Sequence, residues 1–247
     1  MQVGCGAVSV DFLATVAAFP NPDDKIRSTS FKVQGGGNAG NALTCASRLG
    51  LKPRLISKVA DDTQGRDILH ELQVDGVDTS FMAVSQDGTS PFTYIIVDSQ
   101  TKSRTCIHTP GFPPMKPDDL PESSLLTALN GSRLVYFDGR LHETALVVAQ
   151  ESVTKLHAEG IGTVCGRLYI GTAENIPPSE LIDTTGAGDA FIGAILYAIC
   201  ANFAREKMLC FAATVAASKC RALGARSGLP YSTDPCLASF MHSLPLN

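Results

Sequence analysis

The sequence predicts a single α/β domain built around a mainly parallel β-sheet. The chain has 247 residues, of which 44% are hydrophobic, and this is enough for one α/β domain with a sizeable core. Short apolar segments typical of buried strands alternate with longer segments whose apolar residues recur at three-to-four spacing, as on one face of a helix. Strands that alternate with helices favour parallel pairing. We therefore predict one domain over residues 1–247.

A buried strand comes first along the chain. Val3 to Val10 is apolar and rich in small residues, which let a ligand or another backbone segment approach closely. Asp11 directly follows this predicted strand, at the carboxyl edge where open parallel sheets bind their ligands. An edge strand, a helix, a strand and a second helix are predicted next: Ser28 to Gln34, Asn38 to Leu49, Arg54 to Val59 and Gly65 to Val74.

The rest of the chain contains a predicted hairpin, one further strand and several helices. Phe92 to Val97 and Arg104 to His108 are two strands around a turn of polar residues. The remaining predicted elements are the buried strand Leu134 to Phe137, the helix Ala145 to Leu156, the short apolar run Ile161 to Val164, the buried helix Ala190 to Ala201 and the Ala-rich helix Lys207 to Arg221.

Composition and charge exclude several classes of partner. The formal net charge is −4, and no block of Lys or Arg could follow a phosphodiester backbone, so we expect no nucleic-acid partner. The long apolar run Ala190 to Ala201 is too short to span a bilayer, so we expect no membrane partner. The eight cysteines are scattered without a Cys-x-x-Cys pair, which indicates neither a zinc site nor a disulfide framework.

The expected location follows from the N-terminus and the cysteines. The N-terminal residues lack the basic, apolar and small-residue order of a secretory signal. Scattered cysteines that are expected to be reduced suit the interior of the cell. We therefore expect a cytoplasmic protein, or one in an organelle if a transit peptide is absent from this sequence.

The most informative stretch lies between Leu181 and Phe191, where a glycine turn opens a predicted helix. Gly186 and Gly188 allow backbone angles and close approach that a Cβ atom would hinder, and the unpaired N–H groups of the first helical turn can hold a phosphate. Asp189 in the same turn would repel an anion, but it fits a base that takes a proton from a hydroxyl group attacking that phosphate. For an isolated Gly-x-Gly-Asp, a helix N-cap is the more common explanation.

Polar side chains near the predicted sheet edge suit a polyol ligand. Asp11, Asn38 and Asn41 lie where the chain can converge at this edge, and carboxylate and amide groups can each form two hydrogen bonds with neighbouring hydroxyls. Gly36 and Gly37 would let such a ligand rest on bare backbone. The alternative role for the two asparagines is in a turn or a helix cap.

Two motifs carry a resemblance to a known family. Asp183 to Phe191 reads DTTGAGDAF and resembles the C-terminal signature of the ribokinase, or PfkB, family of carbohydrate kinases. Gly36 to Ala42 reads GGNAGNA and is similar to the family's N-terminal sugar-binding signature, and Gly4 to Asp11 resembles its opening strand. Within the family, the motifs look nearest to those of ketohexokinases. The resemblance covers about residues 3–139 and 168–230.

The resemblance implies an architecture and an activity. The implied fold is a three-layer sandwich with a small β-sheet lid from strands at about residues 28–34 and 92–108, and with a nucleotide side at about residues 168–230. The helix Lys207 to Arg221 and the loop Leu223 to Gly228 would border the adenine. The implied activity is ATP-dependent phosphorylation of a monosaccharide hydroxyl, with a ketose such as fructose as substrate and with Mg²⁺ arriving on ATP. Lids of this family often pair between subunits, so a homodimer is expected.

The resemblance also implies roles for individual residues. Asp189 becomes the catalytic base, and a phosphate would be held by Gly186, Ala187, Gly188 and Arg104. The sugar would be bound by Asp11, Asp23, Gly36, Gly37, Asn38 and Asn41. Asp183 and Thr185 resemble a loop that binds a monovalent cation, K⁺, in some family members. No cage of protein ligands for a metal is expected.

The chain departs from the family between Gly139 and Leu168. The family normally has several further strand–helix units there, whereas this chain has one predicted helix and the run Ile161 to Val164. Without its neighbouring strands, the nucleotide side of a parallel sheet is incomplete and has an exposed edge. The alternative function is therefore that of a catalytically impaired, shortened homologue that acts as a sugar-binding or interaction protein.

Overall fold

A four-stranded parallel sheet forms the centre of the molecule. The computed structural model describes residues 2–153 and 171–241. Its strands are β1 (Gln2–Cys5), β4 (Pro53–Ala60), β5 (Met82–Ser85) and β8 (Leu134–Phe137). They lie in the order β5-β4-β1-β8, and each pair of neighbours is parallel. The predicted parallel sheet is therefore present, with the strands near Arg54 and Leu134 where the sequence places them.

Helices cover both faces of this sheet. One face packs against α1 (Asn38–Arg48), α2 (Thr63–Val74) and α5 (Ala187–Cys200), through a core that includes Leu43, Leu72 and Leu196. The other face packs against α3 (Glu122–Leu129) and α4 (His142–Val153), through a core that includes Leu125 and Val148. The three-layer α/β architecture is thus confirmed.

A second sheet forms the small lid. Its order is β3-β2-β6-β7, with β2 (Ser9–Val16), β3 (Ser30–Gly36), β6 (Phe92–Asp98) and β7 (Arg104–Thr109). The predicted edge strand and hairpin are β3 and the β6–β7 pair, and β6 pairs with β7 in antiparallel fashion. Strand β2 is central in this sheet, between β3 and β6.

The prediction of one strand from Val3 to Val10 is wrong. The chain leaves the parallel sheet after Cys5 and enters the lid at Ser9, so the segment contributes to two sheets. A contact with Asp138 accounts for the break, because the Asp138 carboxylate accepts a hydrogen bond from the Ala7 N–H at 2.7 Å. A Cβ atom at Gly6 would lie 2.3 Å from that carboxylate carbon. Asp11 is consequently the third residue of β2 and does not follow the end of a strand.

The C-terminal helices pack as a layered pair beside the parallel sheet. Helix α5 packs on α1, and α6 (Arg205–Lys219) packs on α5 through a core that includes Ala194, Phe211 and Val215. Helix α5 begins three residues before the predicted Ala190, so Asp189 lies within its first turn. A short helix α7 (Ala238–Met241) ends the described chain.

Strand β8 lies at the edge of the parallel sheet among the described strands, and all four of its residues are only half-buried. Parallel strands are normally covered on both faces and paired on both sides. The incomplete nucleotide side stays a prediction, because it depends on residues that the structure does not describe. The predicted run Ile161 to Val164 and the end of the predicted helix Ala145 to Leu156 lie outside the described residues.

The described part of the chain holds seven cysteines, all of them unpaired. None of the helices in residues 2–153 and 171–241 is long and apolar enough to cross a bilayer.

Candidate active site

A cavity of about 610 Å³ lies between the lid and the two helix N-termini of α1 and α5. The inner face of the lid contributes Asp11 and Thr93 to its wall. The helix starts contribute the amides of Asn38 and Asn41 and the carboxylate of Asp189. The structure therefore brings together side chains that the sequence places almost 180 residues apart, and their chemistry suits a polyol with several hydroxyl groups.

Asp11 is 5% exposed and is held from two sides. The Ser9 hydroxyl donates to its Oδ1 at 2.9 Å. Gly36 faces the same carboxylate across the lid, and a Cβ atom there would lie 2.3 Å from the Asp11 carboxyl carbon. Burial raises the pKa of Asp11, while the hydrogen bond from Ser9 and the charge of Arg226 oppose this rise. The glycine at position 36 is thus required by the packing of Asp11.

Gly37 connects β3 to α1 and has a backbone conformation that only glycine adopts easily. Its φ is 84°, and a Cβ atom would lie 2.4 Å from the Cα of Val8. This turn starts α1 directly, so that Asn38 and Asn41 fall on the first helical turn. Asn38 is half-buried on the cavity wall.

Asn41 connects the base to a buried arginine. Its amide nitrogen donates to Asp189 Oδ2 at 3.0 Å, and its amide oxygen accepts from Arg226 Nε at 3.0 Å. Arg226 is 3% exposed, and its other nitrogens donate to the Gly36 carbonyl and to Glu71. The guanidinium therefore fixes the orientation of the Asn41 amide, which presents its N–H group to Asp189. Asn41 therefore holds the Asp189 carboxylate and is also part of the cavity wall.

Asp189 has the electrostatics of a general base. Burial raises its pKa to about 6. The Asn41 hydrogen bond and Arg104 lower this pKa, whereas the negative charges of Asp138 and Asp11 raise it further. A carboxyl group with a pKa near 6 is ionised at neutral pH yet basic enough to accept a proton from a bound hydroxyl.

The first turn of α5 presents free N–H groups next to Asp189. Gly186 adopts the left-handed conformation at φ 76°, and a Cβ atom there would lie 2.6 Å from the Ala225 Cβ. The Ala187 N–H donates to the Thr184 carbonyl in a long bond of 3.2 Å, so this donor is already engaged. Within the described residues, the N–H groups of Gly188 and Asp189 have no acceptor. Two donors at a helix N-terminus remain available to a phosphate.

The two glycines of this turn are expected to differ when they are replaced. Gly188 is helical, and a Cβ atom there meets nothing within 4 Å, so Gly188→Ala should leave the unfolding midpoint unchanged or raise it, since alanine favours helices by about 0.5–1 kcal/mol. The added methyl group would occupy the space above the free N–H groups and should raise the KM for ATP severalfold. Gly186→Ala should instead lower the unfolding midpoint. Thermal unfolding and steady-state kinetics on both variants check this, and equal destabilisation of the two would contradict it.

Arg104 approaches the same turn from the lid. It is exposed on β7, lines the cavity, and its guanidinium donates to the Thr184 hydroxyl at 2.8 Å. On β3, Lys32 donates to the Leu223 carbonyl at 3.2 Å, and Gln34 accepts from the Ser227 hydroxyl at 3.1 Å. The lid is therefore closed over the cavity and is joined to the loops around α5.

A second, mainly apolar cavity of about 270 Å³ lies on the other side of the glycine turn. Its wall combines residues 171–176 with small side chains of α6, among them Ala213, Ala216 and Ala217. Ala187 also lines it, whereas Gly186 and Asp189 line the larger cavity. Small side chains and an apolar wall suit a flat aromatic ring, so the turn separates a polar cavity from an apolar one.

The predicted cation loop is tightly bonded within the protein. Asp183 Oδ1 accepts from the Thr185 N–H and hydroxyl, and Asp183 Oδ2 accepts from the Gly224 N–H at 2.8 Å. The Asp183 carbonyl accepts from the ammonium of Lys219 at 2.7 Å. The loop is thus already in contact with the ammonium group of Lys219.

Asp23 is not part of the cavity. It is exposed in the loop between β2 and β3, with a left-handed φ of 68°, and it does not line either cavity. Two residues that the sequence did not single out, Arg226 and Asp138, do not line the cavity but hydrogen-bond to Asn41 and Ala7 in its wall. Arg226 gave no signal, because an isolated arginine in a loop is most often exposed. Asp138 could have been found, because it directly follows a predicted parallel strand, where ligand-binding side chains collect.

The comparisons with known proteins agree with this fold. The family model for pfkB family carbohydrate kinases matches residues 3–159 and 164–231. The ribokinase of Mus musculus is 23% identical, over 95% of this chain and 93% of its own length. The ketohexokinase of Mus musculus is 22% identical, over 89% of this chain and 96% of its own length. The ribokinase alignment spans 301 positions, more than the 247 residues here, so the relative has segments that this chain lacks.

Solved structures show the same fold. The ribokinase of Giardia lamblia has a TM-score of 0.74 at 17% identity, covering 97% of this chain and 98% of its own. The ribokinase of Cryptococcus neoformans in complex with ADP has a TM-score of 0.62 at 18% identity, covering 94% and 97%. These likenesses show a ribokinase-like fold, and the curated relatives named above are sugar kinases by name. The chain belongs to the pfkB family of carbohydrate kinases.

Proposed function

We propose that this protein transfers the γ-phosphoryl group of ATP to a hydroxyl group of a monosaccharide, with a ketose such as fructose as the acceptor. The observation that carries the proposal is the position of Asp189. Its carboxylate lies on the wall of the polar cavity, while Ala187, two residues earlier in the same turn, lines the apolar one. A sugar in the first cavity and an adenine in the second would meet at the free N–H groups of this turn.

The residues divide the work of phosphoryl transfer. Asp11 and Asn38 would hold sugar hydroxyls, and Asp189 would accept the proton of the attacking hydroxyl. The free N–H groups of Gly188 and Asp189, with the Arg104 guanidinium, would stabilise the negative charge on the transferred group. Mg²⁺ would arrive with ATP and neutralise phosphate charge. The closed lid would exclude water, which otherwise competes with the sugar for the phosphoryl group.

The identity of the acceptor sugar is the most specific part of the proposal. The ketose preference rests on motif resemblance, and the relatives named above act, by their names, on ribose or on ketohexoses. The cavity of about 610 Å³ has space for a pentose or a hexose. Ribose is therefore the main competing acceptor within the same reaction.

A coupled assay of ADP release tests the proposed reaction. The purified chain would be incubated with ATP, Mg²⁺ and a panel of ketoses, aldoses and nucleosides, and the rate with a ketose is expected to exceed the rates with the others. Calorimetric titration of the same sugars would run beside it. Saturable sugar binding without ADP release from any acceptor would favour the second candidate, a sugar-binding protein without catalysis. The half-buried edge strand β8 is the observation that favours that candidate.

The outer face of the lid supports a homodimer. Cross-strand register places Val33, Phe12, Tyr94 and Ile107 in one row on this face. Val33, Tyr94 and Ile107 are 47%, 51% and 54% exposed, and Phe31 on the same face is 63% exposed. An apolar row of this kind across four strands is costly in water and typical of a protein–protein contact. We propose that two lids pack face to face.

A charge in the centre of this face should separate the subunits. Tyr94→Lys is expected to convert a dimer into a monomer, because an ammonium would be buried opposite its symmetry mate. Light scattering over a range of concentrations measures the mass. The matched control is Val84→Lys on β5, a residue 44% exposed outside the lid, which should leave the dimer intact. A concentration-independent monomer for the unmutated chain would rule out the dimer.

The cellular location is also a proposal. We place the protein in the cytoplasm or in the interior of an organelle, because the seven described cysteines are unpaired. Fractionation of cells that produce the untagged protein would test this location.

A further inference from the structure

A completely buried lysine contacts the loop that precedes the glycine turn of α5. Lys219 is the last residue of α6 and is 0% exposed, as is Asp183. Its ammonium nitrogen donates to the Asp183 carbonyl oxygen at 2.7 Å and lies 4.0 Å from the Asp183 Oδ2 atom. Burial of an ammonium group is expensive unless a counter-charge and hydrogen bonds accompany it. Since burying the Lys219 ammonium beside the glycine turn is energetically unfavourable, we ask what this charge does there.

Asp183 supplies the counter-charge and is itself fixed. Its two carboxylate oxygens accept three hydrogen bonds, two from Thr185 and one from the Gly224 N–H. All of these donors are neutral. The ammonium of Lys219 therefore provides the positive charge that balances the Asp183 carboxylate within this buried cluster, and it also binds the backbone of the loop.

The same loop is the one that the family resemblance assigns to a monovalent cation. A potassium ion would need the Asp183 oxygens, and its charge would lie within a few ångströms of the ammonium. Two like charges a few ångströms apart repel each other strongly in a poorly solvated site. The residues present therefore do not fit a bound K⁺ ion.

We propose that the Lys219 ammonium takes the place of a monovalent cation in this loop, so that the protein neither binds nor requires K⁺ there. The lysine holds Asp183 and Thr185 in the conformation that leads into Gly186, and it adds a fixed positive charge behind the N-terminus of α5. Lys219 is a positioning residue, because its side chain does not line either cavity.

Thermal unfolding in different salts tests this proposal without relying on enzymatic activity. The unmutated chain should unfold at the same temperature in KCl and in choline chloride at equal ionic strength. Lys219→Met keeps most of the side-chain volume but removes the charge, and it should unfold earlier in choline chloride. With K⁺ about tenfold above its dissociation constant, the midpoint of this variant should rise by about 3 °C or more relative to choline.

The control variant is Lys32→Met, which removes a lysine that contacts the neighbouring Leu223 carbonyl from the lid. It should show no difference between the two salts. Lys219→Gln serves as a second variant if Lys219→Met does not fold. A saturable stabilisation of the unmutated chain by K⁺ over choline would overturn the proposal, and so would the absence of any K⁺ response in both folded Lys219 variants.

A second readout rests on the proposed function. ADP release by the unmutated chain should have the same rate in both salts, and K⁺ should restore at least part of the rate lost in Lys219→Met. If the chain shows no sugar-dependent ADP release, the proposed function fails, while the unfolding experiment still decides the role of Lys219.

Discussion

Asp189→Asn is expected to lower sugar-dependent turnover by about two orders of magnitude or more, while ATP and sugar affinities stay nearly unchanged. The substitution removes the group that accepts the hydroxyl proton, and general bases typically contribute factors of about 10²–10⁴. The Asn41 N–H can still donate to the new amide oxygen, so the local hydrogen bond is kept. ADP-release kinetics and calorimetry measure the two effects separately.

The control for this variant is Asp67→Asn, which neutralises an exposed carboxylate on α2 and should leave turnover unchanged. Robust turnover in Asp189→Asn would exclude this residue as the base. If the missing segments have impaired the nucleotide side, the unmutated chain itself should release little ADP while still binding sugar, and Asp189→Asn should then change nothing.

The pH dependence of the same reaction follows from the raised pKa. Because the base must be ionised, kcat/KM should be half-maximal near the pKa of about 6, level off about one pH unit above it and fall about tenfold per pH unit well below it. Asp138→Asn removes a negative charge that raises this pKa, so the midpoint of the profile should move to lower pH. A profile centred near pH 4 in the unmutated chain would show that the pKa of the base is not raised, and a midpoint that Asp138→Asn does not move would contradict the assignment to Asp189.

Arg226→Met is expected to be the most destabilising single change near the site. It leaves the Asn41 amide oxygen and the Gly36 carbonyl without their donor, and each buried unsatisfied group costs about 1–3 kcal/mol. Glu71 adds little, since its side chain is 39% exposed and can be solvated. A loss of about 3 kcal/mol corresponds to a fall of roughly 6–12 °C in the unfolding midpoint. Turnover should fall too, because the Asn41 amide is no longer held against Asp189.

Arg221→Met is the matched control for Arg226→Met. Arg221 lies in the same segment, but its side chain is 36% exposed and pairs with Glu180 at the surface. Loss of such a pair typically costs less than about 1 kcal/mol. Equal unfolding midpoints for the two variants would show that the buried guanidinium contributes nothing special to the site.

The sequence predicted the elements of the fold better than their connections. Strand and helix patterns located α1, α2, β4 and the hairpin of the lid within a few residues, because these depend on local periodicity. The division of the first strand depends on Asp138, 131 residues away from Ala7, and no local pattern contains that contact. The sequence therefore predicted both the lid and the parallel sheet, but it did not predict where the chain passes from one to the other.

The candidate site shows the same limit. Gly186, Asp189, Asn38 and Asn41 belong to compact motifs, so the sequence could identify them. Arg226 and Lys219 act through burial, and burial depends on how α6 and the following loop pack on the rest of the chain. Charged residues of this kind look like surface residues until the packing is known. Sequence analysis therefore missed the roles of Arg226 and Lys219, the buried residues that hold the predicted residues Asn41 and Asp183.

The hydrogen bonds from the lid to the loops beside α5 make the two substrates energetically dependent on each other. Lys32 and Arg104 on the lid donate to the Leu223 carbonyl and to the Thr184 hydroxyl, in the segments that flank the glycine turn where sugar and nucleotide are proposed to meet. By thermodynamic reciprocity, whatever factor the sugar adds to nucleotide affinity, the nucleotide must add to sugar affinity. Arg104 cannot serve Thr184 and a phosphate equally well at the same time. A phosphate that binds Arg104 would therefore compete with Thr184 for the same guanidinium, which links nucleotide binding to one of the attachments of the lid.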